Sequence, residues 1–186
     1  MALPDLTRKL TYEDYVLLPD DGQRHEILDG EHYVSPAPSL RHQRVSIRLS
    51  SRLFTFVDQH GLGEVFAAPA DVVLSLHDVV QPDVIFIAKN RAGILTERNV
   101  QGAPDLVIEI LSPSTYQADE GSKLERYDLL GVEEYWMFDL DRRTTRVFRR
   151  NGGRLALVAE LSADAGAVLT TPLLPGLEIP LAKIFS

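Results

Sequence analysis

The apolar and polar positions of this chain fall into periods that predict a succession of elements. "TYEDYVLL", residues 11–18, reads as a short helix, with Thr11 as its cap and Glu13 and Asp14 suited to the positive end of the helix dipole. "RHEILDGEHYVSP" reads as a β-hairpin, because Asp29-Gly30 supplies a type I′ turn between two short β-forming runs. The longest helix is predicted over "PSLRHQRVSIRLSSRLFTFVDQHGLG". There Val45, Leu49, Leu53 and Phe56 recur at helical spacing, Ile47, Phe54 and Val57 widen the apolar face, and Gly61 ends it.

Three strands are expected next, in "GEVFAAP", "ADVVLSL" and "VVQPDVIFIA", followed by a loop with one helical turn over residues 89–103. "PDLVIEILS" and "VEEYWMFDL" are strands that flank a helix in "TYQADEGSKLERYDLLG". Both are apolar on both faces, as strands covered on two sides are. A right-handed crossover through the helix makes them parallel neighbours, a βαβ unit. "RRTTRVFRRNGGRLALVAEL" is a hairpin over Gly152-Gly153, and the tail holds short strands and a last helical turn. The expected class is α/β, or α+β with a mixed sheet. No repeat or linker interrupts residues 1–186, so one domain is expected.

Composition narrows the function classes. At 186 residues, 45% hydrophobic and 25% charged, the chain has the make-up of an ordinary globular protein. It has no cysteine, which excludes disulfides and thiolate metal sites and fits a reducing, cytoplasmic setting. No window approaches the ~18 apolar residues of a membrane span, and the N-terminus lacks a signal-peptide pattern. The net charge of −8 argues against coating nucleic acid by bulk charge. It leaves room for an acidic metal site beside a local basic groove. Neither GxGxxG, GxxxxGK[ST] nor GxSxG occurs, and the five histidines lack metal-ligand spacing.

The candidate chemistry begins at Glu109, a carboxylate in the middle of an apolar strand, where a charge without a partner is costly. One reading is that an arginine or a backbone donor satisfies it. A second carboxylate opens another. Asp83 follows Pro82, which cannot donate to a ladder, in a neighbouring β run. If the two strands adjoin, Asp83 and Glu109 converge, and hard oxygen ligands of this kind suit Mg²⁺ or Mn²⁺. Asp105 shares the Glu109 face but lies ~13 Å away along the strand, so it is read as a strand-start residue. On the following helix Asp119, Lys123 and Tyr127 are spaced to share a face. The crossover is expected to swing Lys123 over the end of the Glu109 strand, an ammonium beside a carboxylate pair, as phosphodiester hydrolysis requires.

"RHEILDGE", "RHQRV", "QPDVIFI", "PDLVIEILSPST", "DEGSKLERYDLLGVEEYWMFD" and "LLPGLEIPL" occur in that order. Together they resemble the Uma-two family of restriction endonuclease-like proteins, over roughly residues 11–185. The resemblance implies the PD-(D/E)xK nuclease fold: a restriction endonuclease-like mixed β-sheet flanked by helices, here with additional N- and C-terminal β-hairpins. By the same resemblance Pro82-Asp83 are the "PD" and Glu109 is the acidic residue of "(D/E)xK". The position two residues on is Leu111 rather than lysine, and Lys123 is the implied replacement. Glu26 matches a further acidic position, and His42-Gln43 match a family "Hq".

Two functions follow as expectations. The first is a Mg²⁺- or Mn²⁺-dependent DNA endonuclease, with Asp83, Glu109 and the Ile110 carbonyl holding the ion, Lys123 stabilising the transition state and Glu26 assisting. The second is a catalytically silent nuclease-fold module or mobile-element remnant. For the first, Arg41, His42, Arg44 and Arg48 at the start of the long helix are the candidate nucleic-acid contacts. A homodimer is expected because duplex cleavage needs two sites.

Overall fold

A computed structural model describes residues 8–112 and 119–186. Thr11 caps a single helical turn, α1 (Tyr12–Tyr15), through a reciprocal box with Asp14, so the expected helix is shorter than residues 11–18. The first hairpin forms as expected from β1 (Arg24–Leu28) and β2 (Glu31–Ser35). Its turn places Asp29 at φ 50° and Gly30 at φ 80°, the two positive angles a type I′ turn demands. The long helix α2 (Leu40–His60) is capped by the Ser39 hydroxyl and closed by Gly61 at φ 60°.

Strands β3 (Gly63–Ala67), β4 (Val72–Ser75), β5 (Asp78–Val80), β6 (Val84–Ala88), β7 (Val100–Gln101), β8 (Leu106–Leu111) and β9 (Glu134–Asp139) follow. The expected strand "VVQPDVIFIA" is two strands, and they belong to different sheets. Pro82 has no N–H to donate, so the chain leaves one ladder at Val80 and enters another at Val84. Residues 89–94 form a 3₁₀ turn. Among the described residues of the predicted helix at 115–131, Asp119–Lys123 make a wide π-type turn that leads into α3 (Leu124–Leu130), which ends at Gly131. The rest of that prediction, residues 115–118, lies outside the described residues. A hairpin, β10 (Thr144–Asn151) and β11 (Arg154–Ser162), then β12 (Val168–Leu169), β13 (Ile179–Pro180) and α4 (Leu181–Phe185) complete the chain.

The strands build a six-stranded sheet, β11-β10-β9-β8-β6-β3, and a five-stranded sheet, β2-β1-β5-β4-β7, with a small β12-β13 pair. β8 runs parallel to β9, as the βαβ reading requires, and antiparallel to β6. The architecture is mixed α+β, with mixed sheets flanked by helices.

Alternation along β8 decides where its side chains go. Leu106, Ile108 and Ile110 pack with Phe86, Trp136 and Phe138 under the α2 residues Val45, Leu49, Leu53 and Val57. Val107 and Leu111 face the other way, into a core shared with Leu28 of β1, Val80 of β5 and Tyr127 of α3. Glu109 falls on this second face, so the elements that can meet it are the five-stranded sheet and α3. On α2, Ile47 and Phe54 do not join the core and are 67% and 55% exposed. At 100° per residue Ile47 is about 200° from Val45, on the opposite side of the helix.

Candidate active site

The site forms where the ladder between β6 and β8 stops. Pairing ends at Val84↔Ile108, so the β6-facing backbone of Ile110 has no strand opposite it. Asp83 fills that gap, and its Oδ2 accepts from the Ile110 N–H at 2.7 Å. The same oxygen lies 3.1 Å from His42 Nε2 at the start of α2, and Oδ1 accepts from Arg24 Nη2 at 2.9 Å. Burial alone would raise the Asp83 pKa. The His42 hydrogen bond, the Arg24 charge and the Ile110 N–H outweigh it and hold Asp83 below the usual carboxylate range. An ionised Asp83 can only accept, so His42 carries its proton on Nε2. His42 Nδ1 is buried and has no partner among the described residues.

Two residues of β1 contribute on the same face, because Arg24 and Glu26 are two apart in a strand. Lys123, from the turn before α3, lies 3.0 Å from Glu26 Oε2 and 3.0 Å from Glu109 Oε1. Tyr127, one helical turn on, donates to Glu109 Oε1 at 2.9 Å. The Gln81 N–H donates to Glu26 Oε1 at 2.8 Å, which ties the crossing between the sheets to the site. Asp83, Glu109, Glu26 and Lys123 are all buried. A cavity of about 210 Å³ opens onto Asp83 and Glu109, lined also by Arg24, Ser39, His42 and Ile110, among others.

The predicted residues Asp83, Glu109, Lys123, Glu26 and Ile110 therefore come together, and His42 joins them from α2. The candidate arginines of α2, Arg41, Arg44 and Arg48, do not act as one set. Arg41 binds Asp141 and the Leu140 carbonyl, and Arg48 binds the Ile184 and Ser186 carbonyls, while Arg44 is exposed. Asp105 is used structurally, accepting from the Ala88 N–H and Arg91. Arg24 was not expected in the site. Its signal was available: as the i−2 neighbour of Glu26 in a strand it must share that residue's face.

A divalent cation fits the chemistry of these donors. Asp83 and Glu109 offer hard carboxylate oxygens. The N–H and C=O of one strand residue point to the same side, so the Ile110 carbonyl faces the edge that its N–H shares with Asp83. Among the described residues no group of three or more His, Asp or Glu side chains is close enough to hold a metal by itself. Backbone oxygen and water would complete the shell, as Mg²⁺ commonly accepts.

The Uma2 family model, described as "Putative restriction endonuclease", matches residues 12–182. The chain belongs to the Uma2 family. A solved relative by fold is described as a "putative nuclease belonging to DUF820" from Anabaena variabilis ATCC 29413. It superposes with a TM-score of 0.77 over 95% of this chain and 97% of that one, at 20% identity. This likeness is one of fold. By sequence, the Uma2 chain is 29% identical over 123 residues to the uncharacterized protein slr1290 of Synechocystis sp.. That match covers 64% of this chain and 62% of the relative, so under two thirds of the curated relative is spanned. Among the described residues of this Uma2 protein, no helix is long and apolar enough to cross a membrane.

Proposed function

We propose that this Uma2 protein is a divalent-metal-dependent endonuclease that hydrolyses phosphodiester bonds in DNA. The observation that carries the reading is the buried set itself: Lys123 between Glu26 and Glu109 at 3.0 Å from each, behind a cavity that Glu109 and Asp83 line. Three buried carboxylates and a buried ammonium in one place are expensive for a merely structural core and are typical of catalytic centres.

Asp83, Glu109 and the Ile110 carbonyl would hold Mg²⁺ or Mn²⁺. When bound there, the ion supplies Lewis-acid chemistry, easing deprotonation of water and offsetting charge on the phosphate. The protein groups divide the remaining work. The Ile110 N–H and His42 fix the Asp83 carboxylate. Lys123 and Tyr127 orient Glu109, and Lys123 keeps a positive charge beside the reacting centre. Glu26 locks Lys123 in place, compensating for the leucine at position 111. Arg44, exposed on α2 about 200° around the helix from His42, is the candidate contact to DNA backbone beyond the cavity, with Arg41 and Arg48 on the same helix. A cytoplasmic homodimer, with one site for each strand, completes the proposal.

The test is cleavage of plasmid DNA in Mg²⁺ or Mn²⁺ by wild type, Glu109→Gln and Lys123→Met, with light scattering for the dimer. Metal-dependent nicking or cutting by wild type, lost in both variants, is expected. Equal activity, or equal inertness, in all three rejects the reading. Inertness would favour the silent-module alternative, to which the leucine at position 111 also points.

A further inference from the structure

We propose that Arg24 is the phosphate-binding residue of this site, held on Asp83 until substrate and metal arrive. The inference rests on the nuclease reading above.

The site holds two side-chain cations in different positions. Lys123 is buried behind Glu26 and Glu109. Arg24 lines the cavity, and its side chain keeps 17% exposure while its partner Asp83 keeps 2%. An entering phosphate therefore meets the guanidinium before the ammonium. A guanidinium also presents paired N–H donors that match two phosphate oxygens, which an ammonium cannot do. The cavity wall beyond Arg24 is the capped N-terminal end of α2 at Ser39 and His42, where the helix dipole favours an anion.

Charge explains why Arg24 is parked where it is. Burial works against its positive charge, but the nearby Asp83, Glu109 and Glu26 carboxylates more than restore it. Those three carboxylates face two cations, Arg24 and Lys123, so the set is one positive charge short of neutral. A divalent cation entering at Asp83 competes directly with Arg24 for Oδ1. The guanidinium is then released toward the cavity, where a phosphate oxygen replaces the carboxylate as its partner. No bond is made or broken in this exchange of ion pairs.

The test compares wild type with Arg24→Gln and Arg24→Lys, after melting curves establish which variants fold. Mn²⁺ affinity is read by calorimetry. Affinity for a fluorescent duplex oligonucleotide is read by anisotropy in EDTA and again in Ca²⁺. Arg24→Gln is expected to bind Mn²⁺ several-fold more tightly, because one competing positive charge has gone, and DNA about tenfold more weakly. Arg24→Lys retains the charge without the fork and is expected to fall between them on DNA; it carries the test should Arg24→Gln not fold. The opposite signs are diagnostic, since a residue that merely supports the fold would weaken both affinities together. Parallel losses, or DNA affinities within twofold of wild type in Ca²⁺, overturn the proposal. In EDTA, where Asp83 still holds Arg24, the loss should be smaller than in Ca²⁺. A wild type that binds no Mn²⁺ sinks the metal reading; a DNA loss equal in EDTA and Ca²⁺ would then assign the phosphate to Arg24 and overturn its release by metal.

Discussion

Replacing Lys123 with methionine removes the cation that lies in contact with both Glu26 and Glu109 and keeps most of its volume. Each N···O separation is 3.0 Å. At an effective dielectric of 20 that is about 5–6 kcal/mol of gross attraction per pair, most of it offset by the desolvation of three buried charges. The net effect of removing one partner from such a set is a loss of about 3–5 kcal/mol, because two buried carboxylates lose their directly paired cation. For a chain of this size that corresponds to a fall in Tm of roughly 6–20 °C, measured by circular dichroism with urea titration alongside. Adding Glu26→Gln supplies the counter-test. Glutamine retains an acceptor for the Gln81 N–H but no charge. The double variant should therefore recover about 1–3 kcal/mol relative to Lys123→Met alone. A Tm drop under about 2 °C for Lys123→Met, or strictly additive effects in the double variant, would show that the three groups do not act as one buried unit.

Further predictions address the frame around the site. Asp78 is fully buried, and its pKa is lowered because the Arg126 fork, the Asp29 N–H and Ser75 outweigh the burial that would raise it. A depressed folded pKa gives stability that is present above the unfolded value of about 3.9 and is lost as pH falls through the folded value, so Asp78→Asn should cost roughly 2 kcal/mol at pH 7 and progressively less below pH 4, by urea unfolding across pH. Leu49→Ala should cost 2–5 kcal/mol and Ile47→Ala about 0.5 kcal/mol or less, a contrast visible in parallel melts, because only Leu49 is in the core. Gly63 has φ 152°, and a Cβ there would fall on the Ile87 carbonyl and 2.9 Å from the Lys89 nitrogen. Gly63→Ala should therefore lower the Tm while leaving the Mn²⁺ affinity of the folded fraction unchanged, since β3 lies at the sheet edge away from the cavity.

Much of the site was legible because local rules there agree with the tertiary structure. The apolar strands around Glu109 and Trp136 and the helix between them imposed a parallel pair, and alternation put Glu109 on one definite face. Pro82 marked the place where a ladder had to stop, which is where Asp83 reaches the Ile110 N–H. The rest required long-range information. Nothing in "VVQPDVIFIA" by itself says that its halves join different sheets. The outward turn of Ile47 and Phe54 depends on which side of α2 the sheet covers. Arg24 was overlooked because an arginine beginning a hairpin strand looks solvent-bound until the second sheet folds over it.

The central claim is that Asp83, Glu109 and the Ile110 carbonyl form a divalent-cation site in front of Lys123. Anomalous scattering from a crystal soaked in Mn²⁺ tests it most directly. A manganese peak within coordination distance of both carboxylates, absent from crystals of Asp83→Asn, is predicted; a soaked crystal with no peak there, or with manganese bound only at other acidic surfaces, would contradict it.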